Sequence, residues 1–330
     1  MPYMSFNDPN PLLSVIIPTC NRPQFLSRAI DSALLAVPEG AFVEVIVVPN
    51  GPSESWKETL SQYREDPRVQ WHPIVKAHAN AARNHGLSIA TGEYVRFLDD
   101  DDYFYPEMAR EQLNAVINSG ADLSFGHIKV VEEGALDGEE RGFLETDDFV
   151  TAVLMPRLAA VPVALVYKRE ITVGLEWDVS INKNQDLYWA MSLCKGREIN
   201  TIKFSEAVGA WVQHDMPRVS KGHHPSLISR QTAEHILEIV KSLSEQDRLT
   251  KSRARAAAIH LWQRLHQGLM YQPFFWMGVS RQAERICPGC CPPKVMYEWP
   301  IIRRFHPLLI EFSIVPWRWL RVLFGHKYTV

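Results

Sequence analysis

The chain of 330 residues is 46% hydrophobic and 22% charged, and its formal net charge at pH 7 is -3. This length predicts one large domain with an extension or two domains, and the composition argues against a disordered chain. The small negative charge argues against a nucleic-acid-binding protein with a basic surface overall.

The N-terminal sequence MPYMSFNDPNPLL has no basic segment followed by an apolar run, which argues against a secretory signal. No uninterrupted apolar run reaches the roughly 18 residues that a membrane-spanning helix needs. We therefore expect a cytoplasmic protein. Five cysteines in a chain of this length argue against a disulfide framework.

Strand and helix patterns alternate in the N-terminal part of the sequence. Short runs rich in β-branched residues predict buried strands at 12–19, 43–48, 69–72 and 93–98. Apolar residues at helical spacing predict helices between them, at 23–36, 54–63 and 77–92. This order predicts a doubly wound α/β fold with a mostly parallel sheet.

Four consecutive aspartates, at 99–102, directly follow the strand predicted at 93–98. Open α/β sheets bind ligands beyond the carboxyl ends of their strands, so the run lies where a site is expected. These carboxylates cannot all ionise close together without water or a cation to screen them. Carboxylate oxygens suit Mg²⁺ or Mn²⁺, which can bridge substrate phosphates. The alternative is a solvated acidic turn.

The later sequence is mixed and then helical. Strands are predicted at 122–131 and 161–167, with an acidic loop at 132–142 between them. After Pro225, apolar residues recur at helical spacing. We predict an α/β domain over 1–225 and a helical C-terminal extension over 226–330.

Four motifs, in this order, resemble the family 2 glycosyltransferases with the GT-A fold. They are SVIIPTCNR, VEVIVVPNGPSES, NAARNHGLSIATGEYVRFLDDDD and NQDLYW, and the resemblance covers about residues 12 to 220. The positions that match the family's motifs are Pro18, Asn21, Arg22, Ala82, Arg83, Asn84, Gly86, Gly92, Glu93, Tyr94, Asp99, Asp101 and Asp102.

The resemblance implies an inverting, metal-dependent transfer of a sugar from a nucleotide-diphosphate donor to a hydroxyl of a glycan or lipid-linked acceptor. It implies that Asp99, Asp101 and His214 hold Mn²⁺ or Mg²⁺ and that Asp186 is the catalytic base. The donor-binding residues that it implies are Pro18, Thr19, Asn21, Arg22, Asn50, Arg83, Asp99, Asp100 and Trp211. The setting that it implies is bacterial polysaccharide or glycolipid assembly.

Plainer structural roles stay open for four of these residues. Arg83 fits a surface arginine on a helix, and Asp186 fits a carboxylate that stabilises a helix N-terminus. His214 fits a structural histidine, and Trp211 fits a core side chain.

The second strand departs from the family pattern. Pro49 and Asn50 stand where the family usually has two aspartates, one of which commonly accepts a hydrogen bond from uracil. Asn50 can accept through its carbonyl oxygen and can also donate, so UDP or dTDP is favoured and a purine stays open. One alternative function is an inactive sugar-nucleotide-binding module. Another is a nucleotidyltransferase, although PTCNRPQF lacks a glycine-rich phosphate loop.

Two C-terminal features fall outside these motifs. Aromatic and aliphatic residues are interleaved with arginines over 300–327, which is typical of peripheral membrane contact. The alternative is a helix that packs on the catalytic domain or on a second copy in a homo-oligomer. CPGCC at 287–291 lacks a second cysteine or histidine pair for zinc, so reduced cysteines are expected.

Overall fold

The computed structural model describes residues 12–142, 146–156, 161–215 and 225–323. The chain divides into two compact units. The first, which we call the sheet unit, holds the described residues 12–142, 146–149, 161–193 and 197–215. The second, the helical unit, holds the described residues 150–156, 194–196 and 225–323.

The sheet unit contains one nine-stranded sheet. Its strands are β1 (Leu13–Thr19), β2 (Val43–Pro49), β3 (Val69–Trp71), β4 (Tyr94–Phe97), β5 (Tyr103–Phe104), β6 (Leu123–Glu132), β7 (Glu139–Arg141), β8 (Leu165–Lys168) and β9 (Thr201–Gln213). Their order across the sheet is β3-β2-β1-β4-β8-β6-β9-β5, and β7 pairs with β6.

The first four strands of that order run parallel, as predicted. β8 is antiparallel to both β4 and β6, whereas β6 and β9 are parallel. Every residue of β1 and β2 is buried, because central parallel strands are covered on both faces. The mostly parallel α/β sheet is therefore confirmed.

The helices within the described residues flank the sheet or form the helical unit. They are α1 (Pro23–Leu34), α2 (Lys57–Leu60), α3 (Ala79–Ile89), α4 (Pro106–Ser119), α5 (Phe149–Leu154), α6 (Gln185–Gly196), α7 (Pro225–Glu245), α8 (Lys251–Gly268), α9 (Pro273–Ile286) and α10 (Pro307–Leu323). The predicted helical character after Pro225 is confirmed. No helix within the described residues has both the length and the apolar character needed to cross a membrane.

Several local predictions differ from the structure. The helix predicted at 54–63 covers only Lys57–Leu60, and the strand predicted at 161–167 begins with a 3-10 helix at Pro162–Ala164. The acidic loop at 132–142 contains β7, which pairs antiparallel with β6. Lys129 of β6 lies 2.6 Å from Asp137, just before β7, and His127 Nδ1 lies 2.8 Å from Glu140 Oε1. Cross-strand pairs of opposite charge stabilise such a hairpin, and helical or strand periodicity does not reveal them.

The cysteines of CPGCC are also not all reduced. Cys287 and Cys290 form a disulfide, and Cys291 stays free. The turn between the two cysteines passes through Gly289 in the left-handed region, at φ 77°, which brings their Cα atoms to 5.8 Å.

A buried carboxylate fastens the start of β4 to the central strands. Glu44 of β2 accepts hydrogen bonds from the Ser14 hydroxyl at 2.6 Å, from the Thr91 backbone N–H at 2.7 Å and from the Gly92 backbone N–H at 3.2 Å. The Gly92 N–H also donates to Ser14 Oγ at 2.8 Å. A Cβ on Gly92 would lie 2.6 Å from the Ser14 backbone nitrogen, so only glycine permits this approach.

Gly92→Ala should lower the free energy of unfolding by about 1–3 kcal/mol, because the added methyl must displace backbone. Chemical denaturation followed by tryptophan fluorescence measures this loss. The matched control is Gly196→Ala at the end of α6, where a Cβ meets nothing within 4 Å. It should change stability by less than about 1 kcal/mol. Equal stability of the two variants would contradict the packing argument.

Candidate active site

The loops that follow β1 and β2 are tied together at the carboxyl edge of the sheet. The backbone N–H and the side-chain Nδ2 of Asn50 both donate to the Thr19 carbonyl oxygen, each at 2.9 Å. Asn21 adopts φ 59°, and its Oδ1 accepts from the hydroxyl of Ser53 at 3.1 Å. Pro18 lies within β1 and is buried. These predicted nucleoside-binding residues therefore lie in one neighbourhood.

The middle of the aspartate run is buried and neutralised by β1 and the residues after it. Asp100 accepts from the Thr19 hydroxyl at 2.7 Å and from Arg22 Nη1 at 3.3 Å. The same Arg22 nitrogen donates to Asp101 Oδ2 at 2.8 Å. Burial and the neighbouring charge of Asp101 raise the pKa of Asp100 to about 7, although Arg22 and Thr19 act in the opposite direction.

The end of the run is joined to β9. Asp102 Oδ1 accepts from the Val212 backbone N–H at 2.9 Å, and both residues are buried. Two residues further along the chain, His214 Nε2 lies 2.8 Å from Asp101 Oδ2. The His214 ring stacks on Phe25 with centroids 5.1 Å apart, and its Nδ1 meets no hydrogen-bond partner among the described residues.

Arg83 joins the beginning of the run to the start of α6. Its Nη2 donates to Asp99 Oδ1 at 2.5 Å, and its Nη1 donates to Gln185 Oε1 at 3.0 Å. Its guanidinium lies 4.5 Å from the centroid of the Trp177 ring. Arg83 is buried, so the surface-arginine alternative does not describe it.

The asparagines on either side of Arg83 fix the segment that carries Trp177. Asn84 Oδ1 accepts from the Trp177 N–H at 2.7 Å, and Asn84 Nδ2 donates to the Trp177 carbonyl at 2.9 Å. Asn80 Nδ2 donates to the Asp178 carbonyl at 2.7 Å. The Trp177 ring stacks on Trp189 of α6 at 4.9 Å. The motif around Arg83 therefore positions α6 as well as the arginine.

Asp186 occupies the first turn of α6 and is partly buried. Burial raises its pKa to about 6, and the negative charge of Asp99 acts in the same direction. The Leu187 backbone N–H and the positive charge of Arg83 oppose this rise. Asp186 is thus within electrostatic range of Asp99 and Arg83, and it also lies where a helix dipole favours a carboxylate.

The acidic run fits a divalent metal. Asp99, Asp101 and Asp102 each offer a carboxylate oxygen, and these oxygens lie within 4.8 Å of one another. Oxygen donors of this kind suit Mg²⁺ or Mn²⁺. Sequence reasoning proposed His214 in place of Asp102. The structure brings His214 to Asp101 but adds Asp102 to the carboxylate group.

Other site residues differ in how well the sequence indicated them. Trp211 lies on β9 opposite Val130, and it makes none of the hydrogen bonds or ring contacts that join the site residues above. Its donor-binding role stays a prediction. Trp177 and Phe25 were missed, because they contact Arg83 and His214 through residues distant along the chain. The only local signal for Trp177 is Asn84, which is one of the positions that match the family's motif.

A family comparison covers most of these elements. Residues 14–152 match the family model described as Glycosyl transferase family 2. The match includes Asn50, Arg83 and the aspartate run, and it ends before Asp186 and His214. The resemblance predicted from the motifs is confirmed.

Two curated relatives illustrate the similarity. The GalNAc(5)-diNAcBac-PP-undecaprenol beta-1,3-glucosyltransferase of Campylobacter jejuni is 34% identical over 135 residues, which are 40% of this chain and 43% of that protein. A candidate colanic acid biosynthesis glycosyl transferase of Escherichia coli K12, WcaA, is 41% identical over 101 residues, which are 29% of this chain and 35% of that protein. The chain thus spans less than half the length of these relatives.

Solved structures extend the likeness to the whole fold. The crystal structure of S. aureus TarS 1-349 in complex with UDP-GlcNAc matches with a TM-score of 0.60 and 16% identity, over 84% of this chain and 82% of that chain. At this identity the likeness shows the fold alone. It confirms the GT-A-like sheet flanked by helices, with a helical C-terminal region.

Asp100→Asn should change how stability depends on pH. Because the folded-state pKa of about 7 lies above the ordinary 3.8, the folded protein holds this proton more strongly than the unfolded chain does. The resulting stabilisation is complete below pH 3.8 and is lost as the pH rises through about 7. The variant cannot ionise, so its stability relative to the parent should increase over that range. Denaturation of chelator-treated protein across this pH range measures the difference.

Asp66→Asn is the matched control for this measurement. Hydrogen bonds from Arg68 lower the pKa of Asp66, so its stabilisation is present at higher pH and lost on acidification. Its variant should therefore lose stability relative to the parent as the pH rises. A parent-to-variant difference at Asp100 that does not depend on pH would contradict the assignment.

Proposed function

Because residues 14–152 match the family model described as Glycosyl transferase family 2, we propose that the chain is an inverting, metal-dependent glycosyltransferase. It transfers a sugar from a nucleoside-diphosphate donor to an acceptor hydroxyl. The observation that carries the proposal is the position of Arg83, which joins Asp99 of the acidic run to the start of α6, where Asp186 lies. Residues suited to binding a diphosphate and a carboxylate suited to act as a general base thus lie beside one hydrogen-bond network centred on Arg83.

The nucleoside end of the donor is assigned to the loops after β1 and β2. Asn50 uses its Nδ2 on the Thr19 carbonyl, and no donor among the described residues reaches its Oδ1. That oxygen is free to accept from the N3–H of uracil or thymine. UDP or dTDP is therefore the favoured donor nucleotide, with Asn21 and Arg22 beside it.

The diphosphate end of the donor is assigned to the acidic run. Asp99, Asp101 and Asp102 would hold Mn²⁺ or Mg²⁺, which supplies positive charge to the leaving diphosphate when it is bound. His214 is buried with its Nε2 2.8 Å from Asp101 Oδ2, so this nitrogen can add a ligand or a hydrogen bond there. Arg83 is a permanent cation that keeps Asp99 in place and adds positive charge.

Asp186 is assigned the proton transfer. Its carboxylate accepts the proton of the acceptor hydroxyl as that oxygen bonds to the anomeric carbon and the bond to the diphosphate breaks. Attack from the face opposite the leaving group inverts the anomeric configuration. The raised pKa makes Asp186 a stronger base than an ordinary aspartate while it is still ionised at neutral pH.

The acceptor class follows from chemistry and from the relatives. A hydroxyl on a glycan or on a lipid-linked saccharide satisfies the mechanism. The C. jejuni relative is named for an undecaprenol-diphosphate acceptor, and the E. coli relative for colanic acid biosynthesis. We therefore assign this chain to bacterial polysaccharide or glycolipid assembly.

A thermal-shift panel of UDP-, dTDP-, GDP- and CMP-linked sugars, with and without Mn²⁺, tests the donor site. A ligand that binds only the folded state stabilises it, by about 2.7 kcal/mol at a concentration one hundred times its Kd. We expect a Mn²⁺-dependent shift with the UDP- or dTDP-linked sugars. Asp101→Asn should lose the Mn²⁺-dependent part. A shift that is the same with and without Mn²⁺ would remove the metal from the proposal.

Asp186→Asn should lower the rate of transfer by at least about 10²-fold while the donor-induced thermal shift is retained, because only the proton acceptor is lost. In the parent, kcat/KM should fall as the pH drops through about 6 or lower, since Mn²⁺ near Asp99 reduces the repulsion that raises this pKa. Asp247→Asn is the matched control, because Asp247 is exposed at φ 53° and asparagine tolerates that backbone. Transfer by Asp186→Asn at the control's rate would exclude Asp186 as the base.

A further inference from the structure

The polarity of α10 is reversed relative to a helix that faces water. Leu309, Phe312, Pro316 and Leu320 recur at three- and four-residue spacing, which places them on one face, and all four are exposed. Leu309 is 62% exposed. Trp317, at 65%, lies at the side of this face. A helix on the surface of a protein in water ordinarily turns such a stripe inward.

Two charged residues of α10, Glu311 and Arg318, point inward instead. Glu311 is 0% exposed and Arg318 is 4% exposed. Glu311 accepts from the Tyr297 hydroxyl at 2.6 Å, shares a hydrogen bond with His266 Nδ1 at 2.7 Å and lies 3.9 Å from Arg318 Nη1. This cluster lies wholly within the helical unit. A buried carboxylate is tolerated when it is hydrogen-bonded in this way, so the fold supports the inward position of Glu311.

The segment before α10 continues the same composition. Ile301 and Phe305 are exposed, and so are Arg303 and Arg304 between them. Neither arginine has an ion-pair partner among the described residues. We call Ile301, Phe305, Leu309, Phe312, Trp317 and Leu320 the apolar face. Much of the aromatic and aliphatic part of the 300–320 stretch is therefore exposed, and residues after 323 lie outside the described part of the chain.

We propose that the apolar face, with Arg303 and Arg304, docks the helical unit on the surface of an anionic lipid membrane. Hydrocarbon near the headgroups takes up the leucines and phenylalanines, and tryptophan is favoured at the boundary between hydrocarbon and water. Lipid phosphates supply the anions that the two arginines lack among the described residues. None of these residues belongs to the sheet unit, so the inference stands apart from the transferase proposal.

Co-sedimentation of the full chain with vesicles tests the proposal. The parent should bind vesicles that contain phosphatidylglycerol more tightly than vesicles of phosphatidylcholine alone, and added salt should reduce the difference. Arg303→Gln with Arg304→Gln should weaken binding to the anionic vesicles by about 30-fold, since each basic residue contributes about fivefold. Leu309→Gln with Leu320→Gln should weaken binding to them by more than about tenfold.

The control is Val75→Gln with Leu136→Gln, two exposed apolar side chains of the sheet unit, which should leave vesicle binding unchanged. Thermal unfolding of each variant shows that the fold is retained. Parent protein that sediments with no vesicle, or apolar-face variants that bind like the parent, would overturn the proposal. A different outcome would also overturn it. If the parent were a dimer, the apolar-face variants were monomers in sedimentation equilibrium and no variant bound lipid, the face would pair with a second copy.

Discussion

The need to neutralise four consecutive carboxylates at the end of a buried parallel strand organises the sheet unit. Asp99 is paired with Arg83 from α3, and Asp100 with Thr19 at the end of β1. Asp101 is held by Arg22 and His214, and Asp102 by a backbone N–H of β9. These partners come from several elements, and Arg22 serves both Asp100 and Asp101. The acidic run is therefore a point where β1, α1, α3 and β9 are joined, and repulsion between its members is offset locally.

The aspartates in and near the run also differ in their pKa values. Burial raises the pKa of Asp100, which points toward β1, and the pKa of Asp186, which lies across Arg83 from the run. A carboxylate that holds a metal must be ionised, whereas a proton acceptor benefits from a raised pKa. In the proposed mechanism Asp186 gains its basicity from burial at a helix N-terminus, and Arg83 limits the repulsion from Asp99.

Local patterns predicted the parts of the molecule that depend on short stretches of chain. The strands β1 to β4, the aspartate run after β4 and the helices after Pro225 follow from periodicity and from the position of the carboxylates. The place of β8 between β4 and β6 does not, because pairing between distant strands leaves no local signal. Trp177 is a clear case, since hydrogen bonds between its backbone and Asn84 help to hold it beside Arg83. Family motifs marked Asn84 without showing what it holds.

Buried charged residues have different roles in the two units. In the sheet unit, paired charges converge on an edge where a polar ligand can replace some of the pairs. In the helical unit, the buried carboxylate of Glu311 is hydrogen-bonded by His266 and Tyr297 and lies 3.9 Å from Arg318. The consequence lies on the other side of α10. Because Glu311 and Arg318 point inward, the exposed stripe at Leu309, Phe312, Pro316 and Leu320 is apolar, and its burial would gain about 25 cal/mol for each Å² removed from water. The buried cluster and the exposed apolar face thus both follow from the reversed polarity of α10. The proposed environment, an anionic membrane surface with hydrocarbon beneath its headgroups, is consistent with both.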